Sequence, residues 1–209
     1  VLSLIKSENI LCLADEVMTG FGRTGKILAS DYLEHKPDVL CLSKGITGGF
    51  LPLAVTAASQ KIYEAFYSDK KEKAFFHGHS YTANPTACAA ALASFELLKR
   101  PQTLSKIEFI ENSHKSYKDK VIRSRHKALK EIRQQGTILA VEFKSKQETG
   151  YFNNIRNKLA MFSLSHNVLL RPLGNVLYIL PPYSFDKNDL DKAYFVIESC
   201  LENFEEIVR

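Results

Sequence analysis

The chain has 209 residues, 45% of them apolar and 24% charged, which is the balance of an ordinary soluble globular protein with one large or two small domains. It contains no apolar run near the length of a membrane span and no secretory signal pattern. The net charge of +5 is concentrated in Lys115–Arg133, which reads as a solvated helix face, because no aromatic or glycine pattern supports a nucleic-acid patch. Cys12, Cys41, Cys88 and Cys200 are far apart in apolar surroundings. That spacing reads as reduced core thiols of a cytoplasmic protein, without disulfides or zinc.

The chain opens with Val1-Leu2-Ser3-Leu4-Ile5, and a strand-like run, Ile10 to Ala14, follows at once. A start so deep in structured-looking sequence raises the expectation of a preceding N-terminal part. Ile10–Ala14 and Val39–Leu42 are continuous apolar runs, as in parallel strands buried on both faces. Leu53–Ala58 reads as a third strand and Gln60–Tyr67 as a helix. Asn84–Arg100 reads as a strong helix, with Asn84 as its cap, Pro85 at the first position and Pro101 ending it. Beyond Pro101 the spacing predicts a long polar helix over Leu104–Gln134, with Tyr117, Val121, Ile122, Leu129 and Ile132 on one face. A strand over Ile138–Phe143 and a helix near Tyr151–His166 come next. Strands Val168–Arg171 and Val176–Leu180 and a helix Asp186–Glu202 complete the chain. A domain boundary is placed near Pro101, between an α/β layer and an α+β second domain.

Gly20-Phe21-Gly22-Arg23-Thr24-Gly25-Lys26 fits both G-x-G-x-x-G and G-x-x-x-x-G-K. Ile27 stands where a Walker loop needs Ser or Thr, and Asp15–Thr19 separates the glycines from the preceding strand, so a glycine-rich surface turn is the better reading. His77-Gly78-His79 makes an incomplete metal site, and Gly78 reads as a place of close backbone approach. Asp15-Glu16 ends one apolar run and Lys44, in Ser43-Lys44-Gly45, ends the next. On neighbouring strands a carboxylate and an amine would converge on one rim of the sheet. Either a structural ion pair or a Schiff-base lysine with an acid at a pyridine nitrogen would account for them.

Leu11–Gly25 (LCLADEVMTGFGRTG) resembles the signature of the class III aminotransferases, and Pro37-Asp38 to Lys44-Gly45 resembles their cofactor-lysine segment. Phe76–Tyr81 with Asn84–Ala91 resembles the family's next block. Arg171-Pro172-Leu173-Gly174 with Tyr178–Tyr183 (YILPPY) is similar to one branch, the adenosylmethionine-8-amino-7-oxononanoate aminotransferases of biotin synthesis.

The resemblance implies the α/β pyridoxal-phosphate-dependent transferase fold type I. Residues 1–100 would be the C-terminal part of the large cofactor domain, with a mostly parallel sheet, and residues 101–209 a small α+β domain. It implies pyridoxal 5'-phosphate as cofactor, with Lys44 carrying it, Asp15 beneath the pyridine nitrogen and Val17 against the ring. Ser80 stands where the family usually has a threonine that binds the cofactor phosphate across a homodimer interface. Arg171 matches the holder of the substrate carboxylate, and Tyr178 and Gly78 fall at the substrate site. The implied reaction moves the amino group of S-adenosylmethionine to 8-amino-7-oxononanoate. An ω-amino acid:pyruvate or 4-aminobutyrate aminotransferase, or a non-catalytic remnant that binds partners, is the alternative. The family chain is about twice this length, so a half-length chain is expected to be inactive alone.

Overall fold

The computed structural model describes residues 2–78, 80–145 and 147–209. They form two compact units that divide between Thr103 and Leu104. No helix among the described residues is long and apolar enough to cross a membrane.

In the first unit a short helix, α1 (Leu2–Ser7), precedes strands β1 (Leu13–Asp15), β2 (Val39–Leu42) and β3 (Val55–Ala58). The sheet order is β1-β2-β3. β1 runs parallel to β2 with Leu13 opposite Val39 and Asp15 opposite Cys41, and β3 returns antiparallel. At the entry to the parallel pair, Asp38 accepts a hydrogen bond from the Cys12 N–H (2.9 Å) and an ion pair from Lys6 (2.9 Å). Helices α2 (Gln60–Phe66) and α3 (Pro85–Leu98) follow. The Asn84 side chain accepts from the Ala87 N–H at 3.0 Å with Pro85 at the first helical position, a cap of about 1 kcal/mol.

The strands are shorter and barer than their composition predicts. Leu13 is 61% exposed, Ile10 and Leu11 flank it in solvent, and all four residues of β3 are exposed. Parallel strands need a covering layer on each face, and the helices of this unit leave those faces open. The glycine-rich segment also departs from a surface turn, since Gly20, Gly22 and Thr24 are buried.

The second unit is an antiparallel sheet, β4 (Leu129–Gln135), β5 (Ile138–Phe143) and β6 (Val176–Ile179), in that order. It packs with helices α4 (Pro101–Ser124), α5 (Ile155–Ser165), α6 (Lys187–Glu202) and α7 (Phe204–Val208). Leu139, Val141, Phe143, Leu177, Ile110 and Ile197 form the centre of its core. Two expectations fail here. The helix foreseen to Gln134 stops at Ser124, where Arg125 turns left-handed (φ 52), and Leu129–Gln135 become β4. A two-residue turn with Gly136 at φ 54 pairs Gln135 with Ile138 and buries Ile132, which outweighs helical propensity. Val168–Arg171 joins no ladder. Its Leu170 is buried by packing on the core rather than by strand pairing. Helix α7, which anchors Phe204 in the core, was not anticipated.

Candidate active site

Asp15 and Lys44 leave the C-terminal edge of the same parallel pair. Asp15 is the last residue of β1, opposite Cys41, and Lys44 opens a 3-10 turn (Lys44–Thr47) two residues after β2 ends. Both side chains are exposed, and no ion pair among the described residues joins them. A structural salt bridge therefore does not account for the pair. One Asp15 oxygen accepts the Val17 N–H at 3.0 Å, which orients the carboxylate and leaves Val17 half-buried beside it.

The two acids of Asp15-Glu16 do different work. Glu16 is buried and accepts hydrogen bonds from the Ser30 N–H (2.6 Å), the Ala29 N–H (2.7 Å) and the Thr19 hydroxyl (3.0 Å). Burial pushes its pKa up, but those hydrogen bonds outweigh it and hold the carboxyl below its ordinary value. Glu16 thus stitches together the crossover between β1 and β2, which contains no α-helix. A phosphate loop would lead directly into a helix N-terminus. Here the glycines lead into a 3-10 turn, Ala29–Tyr32, instead.

The Lys44 turn is fixed from several sides. The Ser43 hydroxyl donates to the Leu53 carbonyl (2.9 Å), Thr47 to that of Leu51 (2.5 Å), and Ser94 of α3 to that of Gly45 (3.4 Å). Lys44 itself has φ 45. For a non-glycine residue that backbone costs roughly 1–3 kcal/mol and persists only where its surroundings enforce it. A cleft of about 740 Å³ opens between Ser43, residues 51–54 and residues 81–87. Neither Lys44 nor Ser80 lines it. Gly78 and Ser80 lie on the exposed segment leading to the Asn84 cap, and His79 falls outside the described residues. Among the described residues no cluster of His, Cys, Asp and Glu could hold a metal ion.

Arg171 and Tyr178 belong to the second unit. Arg171 is exposed at the start of a turn in which Leu173 and Val176 exchange backbone hydrogen bonds, and Tyr178 is half-buried on β6 opposite Ala140. The turn is locked at Gly174 (φ 57), where a Cβ would stand 1.7 Å from the Gly150 carbonyl oxygen. Asn175 is fully buried, and its amide donates to the Phe143 carbonyl at 2.8 Å.

Sequence reasoning assigned no role to Ser43, Ser94 or Asn175. Each acts through a hydrogen bond to a backbone carbonyl distant in sequence, and such bonds leave no motif.

The chain matches the family model described as Aminotransferase class-III over residues 1–201. It is 41% identical over 198 residues to the adenosylmethionine-8-amino-7-oxononanoate aminotransferase of Synechococcus elongatus, covering 95% of this chain and 46% of that protein. The crystal structure of the enzyme of that name from Methanocaldococcus jannaschii superposes with a TM-score of 0.82 at 32% identity, over 94% of this chain and 48% of that one. A PLP-bound amine transaminase from an uncultivated Pseudomonas species gives 0.85 at 29% identity, over 96% and 46%. The chain spans about half the length of the relatives it matches. It has the α/β fold of the pyridoxal-phosphate-dependent transferases, fold type I, as far as it extends. The family match over nearly the whole chain, carried on a β1–β2 pair that brings Asp15 and Lys44 to one edge, places this protein among the class III aminotransferases.

Proposed function

We propose that this chain carries the cofactor-lysine half of an aminotransferase that moves the amino group of S-adenosylmethionine to 8-amino-7-oxononanoate, giving 7,8-diaminononanoate. The observation that carries the reading is the shared rim of Asp15 and Lys44. The choice of substrates rests on the relatives' names and on Arg171–Gly174 with Tyr178–Tyr183. Residues 1–100 are read as part of the large cofactor domain and residues 101–209 as the small domain.

The residues present fit pyridoxal 5'-phosphate. An exposed amine suits its aldehyde, an oriented carboxylate suits its ring nitrogen, and half-buried Val17 offers an apolar surface to the ring. When bound, the cofactor supplies a sink for the electrons released as a substrate Cα–H bond breaks. Asp15 holds a proton at the ring nitrogen by charge. The Lys44 Nζ would hold the cofactor and, as a free amine, would take the proton leaving the substrate Cα. Arg171 presents a planar two-pronged donor to the carboxylate of the keto acid, a geometry lysine lacks. Gly78 and Tyr178 are assigned to the substrate site.

Ser80 is assigned to the cofactor phosphate of a neighbouring subunit, so the working unit is read as a homodimer. A cytoplasmic setting suits four thiols that stand far apart in sequence. The test is an acceptor screen on the full-length protein with S-adenosylmethionine as donor. Preferred transfer to 8-amino-7-oxononanoate supports the reading. Preference for pyruvate or 2-oxoglutarate with ω-amino donors replaces it with the alternative within the same class.

A further inference from the structure

Two bulky residues of the first unit hold left-handed backbones, Phe21 at φ 59 and Lys44 at φ 45. They meet at Gly45. A Cβ built on Gly45 would stand 2.8 Å from Cδ2, 2.9 Å from Cβ and 3.0 Å from Cγ of Phe21. No side chain tolerates that approach. Gly45 itself does not have a left-handed φ. Its backbone would accept alanine, and the Phe21 side chain, Cβ and ring together, is what demands glycine there.

Given the reading of Lys44 as the cofactor lysine, on which this inference rests, we propose that Phe21 is a positioning residue for Lys44. Its ring, seated on Gly45, holds the left-handed Lys44 backbone in place and so sets the direction in which the amine leaves the sheet edge. Phe21 comes from the crossover turn, and that turn is itself anchored. The Gly20 N–H donates to the Glu16 carbonyl at 3.0 Å, and the Glu16 carboxylate is tied to the amides of Ala29 and Ser30. On the other side, Ser94 of α3 donates to the Gly45 carbonyl at 3.4 Å. Gly45 is therefore gripped between two distant segments of chain, and Lys44 is the residue whose conformation the grip fixes. Left-handed non-glycine residues relax to ordinary φ when nothing enforces them.

A double-mutant cycle on the full-length protein tests this: Phe21→Ala, Gly45→Ala, both together, and Phe21→Leu as the milder change, with circular dichroism confirming each fold. Three quantities are read. They are the rate at which borohydride fixes pyridoxal phosphate on Lys44, the pH at which the bound cofactor's visible absorption changes, and amide exchange over residues 44–48 in cofactor-free protein. Each single alanine variant should slow fixation about tenfold, as expected for a reacting group displaced by a fraction of an ångström. Each should also shift the absorption transition and speed exchange. Phe21→Leu should fall between, and the double variant should lose less than the sum of the two single losses, because removing the ring takes away the Cδ2 and Cγ contacts and leaves the added methyl only the Cβ of residue 21 to meet.

Unchanged fixation, absorption and exchange in a folded Phe21→Ala protein would overturn the proposal, as would simple additivity in the double variant. If Phe21→Ala does not fold, Phe21→Leu and Gly45→Ala carry the same comparison. Failure of the unaltered protein to label Lys44 would overturn the Lys44 reading instead. The exchange measurement would then decide whether Phe21 holds the turn.

Discussion

In the core of the second unit the Nδ1 of His114 accepts the Tyr194 hydroxyl at 2.7 Å, while its Nε2–H donates to the Thr137 carbonyl at 3.1 Å. The carbonyl can only accept, so the neutral ring carries its proton on Nε2. Helices α4 and α6 and the β4–β5 turn are pinned to one imidazole, with the Tyr117 and Tyr194 rings stacked 4.1 Å apart beside it.

Burial drives the His114 pKa down to about 4, and the Thr137 hydrogen bond only partly opposes it. The unfolded chain titrates near 6.5 and binds the proton first as pH falls. Stability from keeping the ring neutral is thus complete above about pH 6.5 and is lost as pH drops toward 4, on the order of 3 kcal/mol in all. Urea midpoints measured from pH 7.5 to 4 should fall across that window, and His114→Gln should flatten the slope.

Glu142 on β5 titrates in a lower window. Hydrogen bonds from Lys130, Thr149 and Arg133 hold its buried carboxyl down at about 2. Its contribution is present above about pH 4.5 and is lost as pH falls toward 2. Glu142→Gln should lower stability at neutral pH by about 1–3 kcal/mol and remove the acid-side loss. Denaturant titrations at pH 7 and pH 3 check both effects.

Arg171→Ala should raise KM for the keto acid strongly and for S-adenosylmethionine little. Loss of a charge-assisted carboxylate pair costs about 2–5 kcal/mol. Steady-state kinetics with each substrate varied in turn separates the two effects. An equal rise in both KM values would remove Arg171 from its assigned role.

Residues 1–209 expressed alone should self-associate and show no transaminase turnover. Leu13 at 61% exposure, with Ile10, Leu11 and Val55 also in solvent, gives the first unit bare apolar strand faces that invite pairing with other chains. Size exclusion with added pyridoxal phosphate checks this. A single well-behaved species with turnover would contradict it.

Strands β1, β2, β3, β5 and β6, the Asn84 cap and the Lys44 edge were legible in the sequence because each rests on local pattern: short apolar runs, an Asn-Pro start, a motif at a strand end. The helix foreseen to Gln134 was not, because the apolar spacing of Tyr117 to Ile132 fits a helix, and only pairing with Ile138–Phe143 favours a strand. The split between Asp15 and Glu16 was equally hidden. Two adjacent acids look alike until the amides of Ala29 and Ser30 claim one of them. The contact of Phe21 with Gly45 joins segments that no periodicity connects.

The central claim is that Lys44 is the residue that carries the cofactor. Borohydride reduction of the full-length protein in the presence of pyridoxal phosphate, followed by peptide mass spectrometry, tests it most directly. The phosphopyridoxyl group should appear on the peptide containing Lys44, and Lys44→Ala should abolish both the label and the visible absorption of the bound cofactor. Specific labelling of any other lysine, with Lys44 unmodified, would contradict the account.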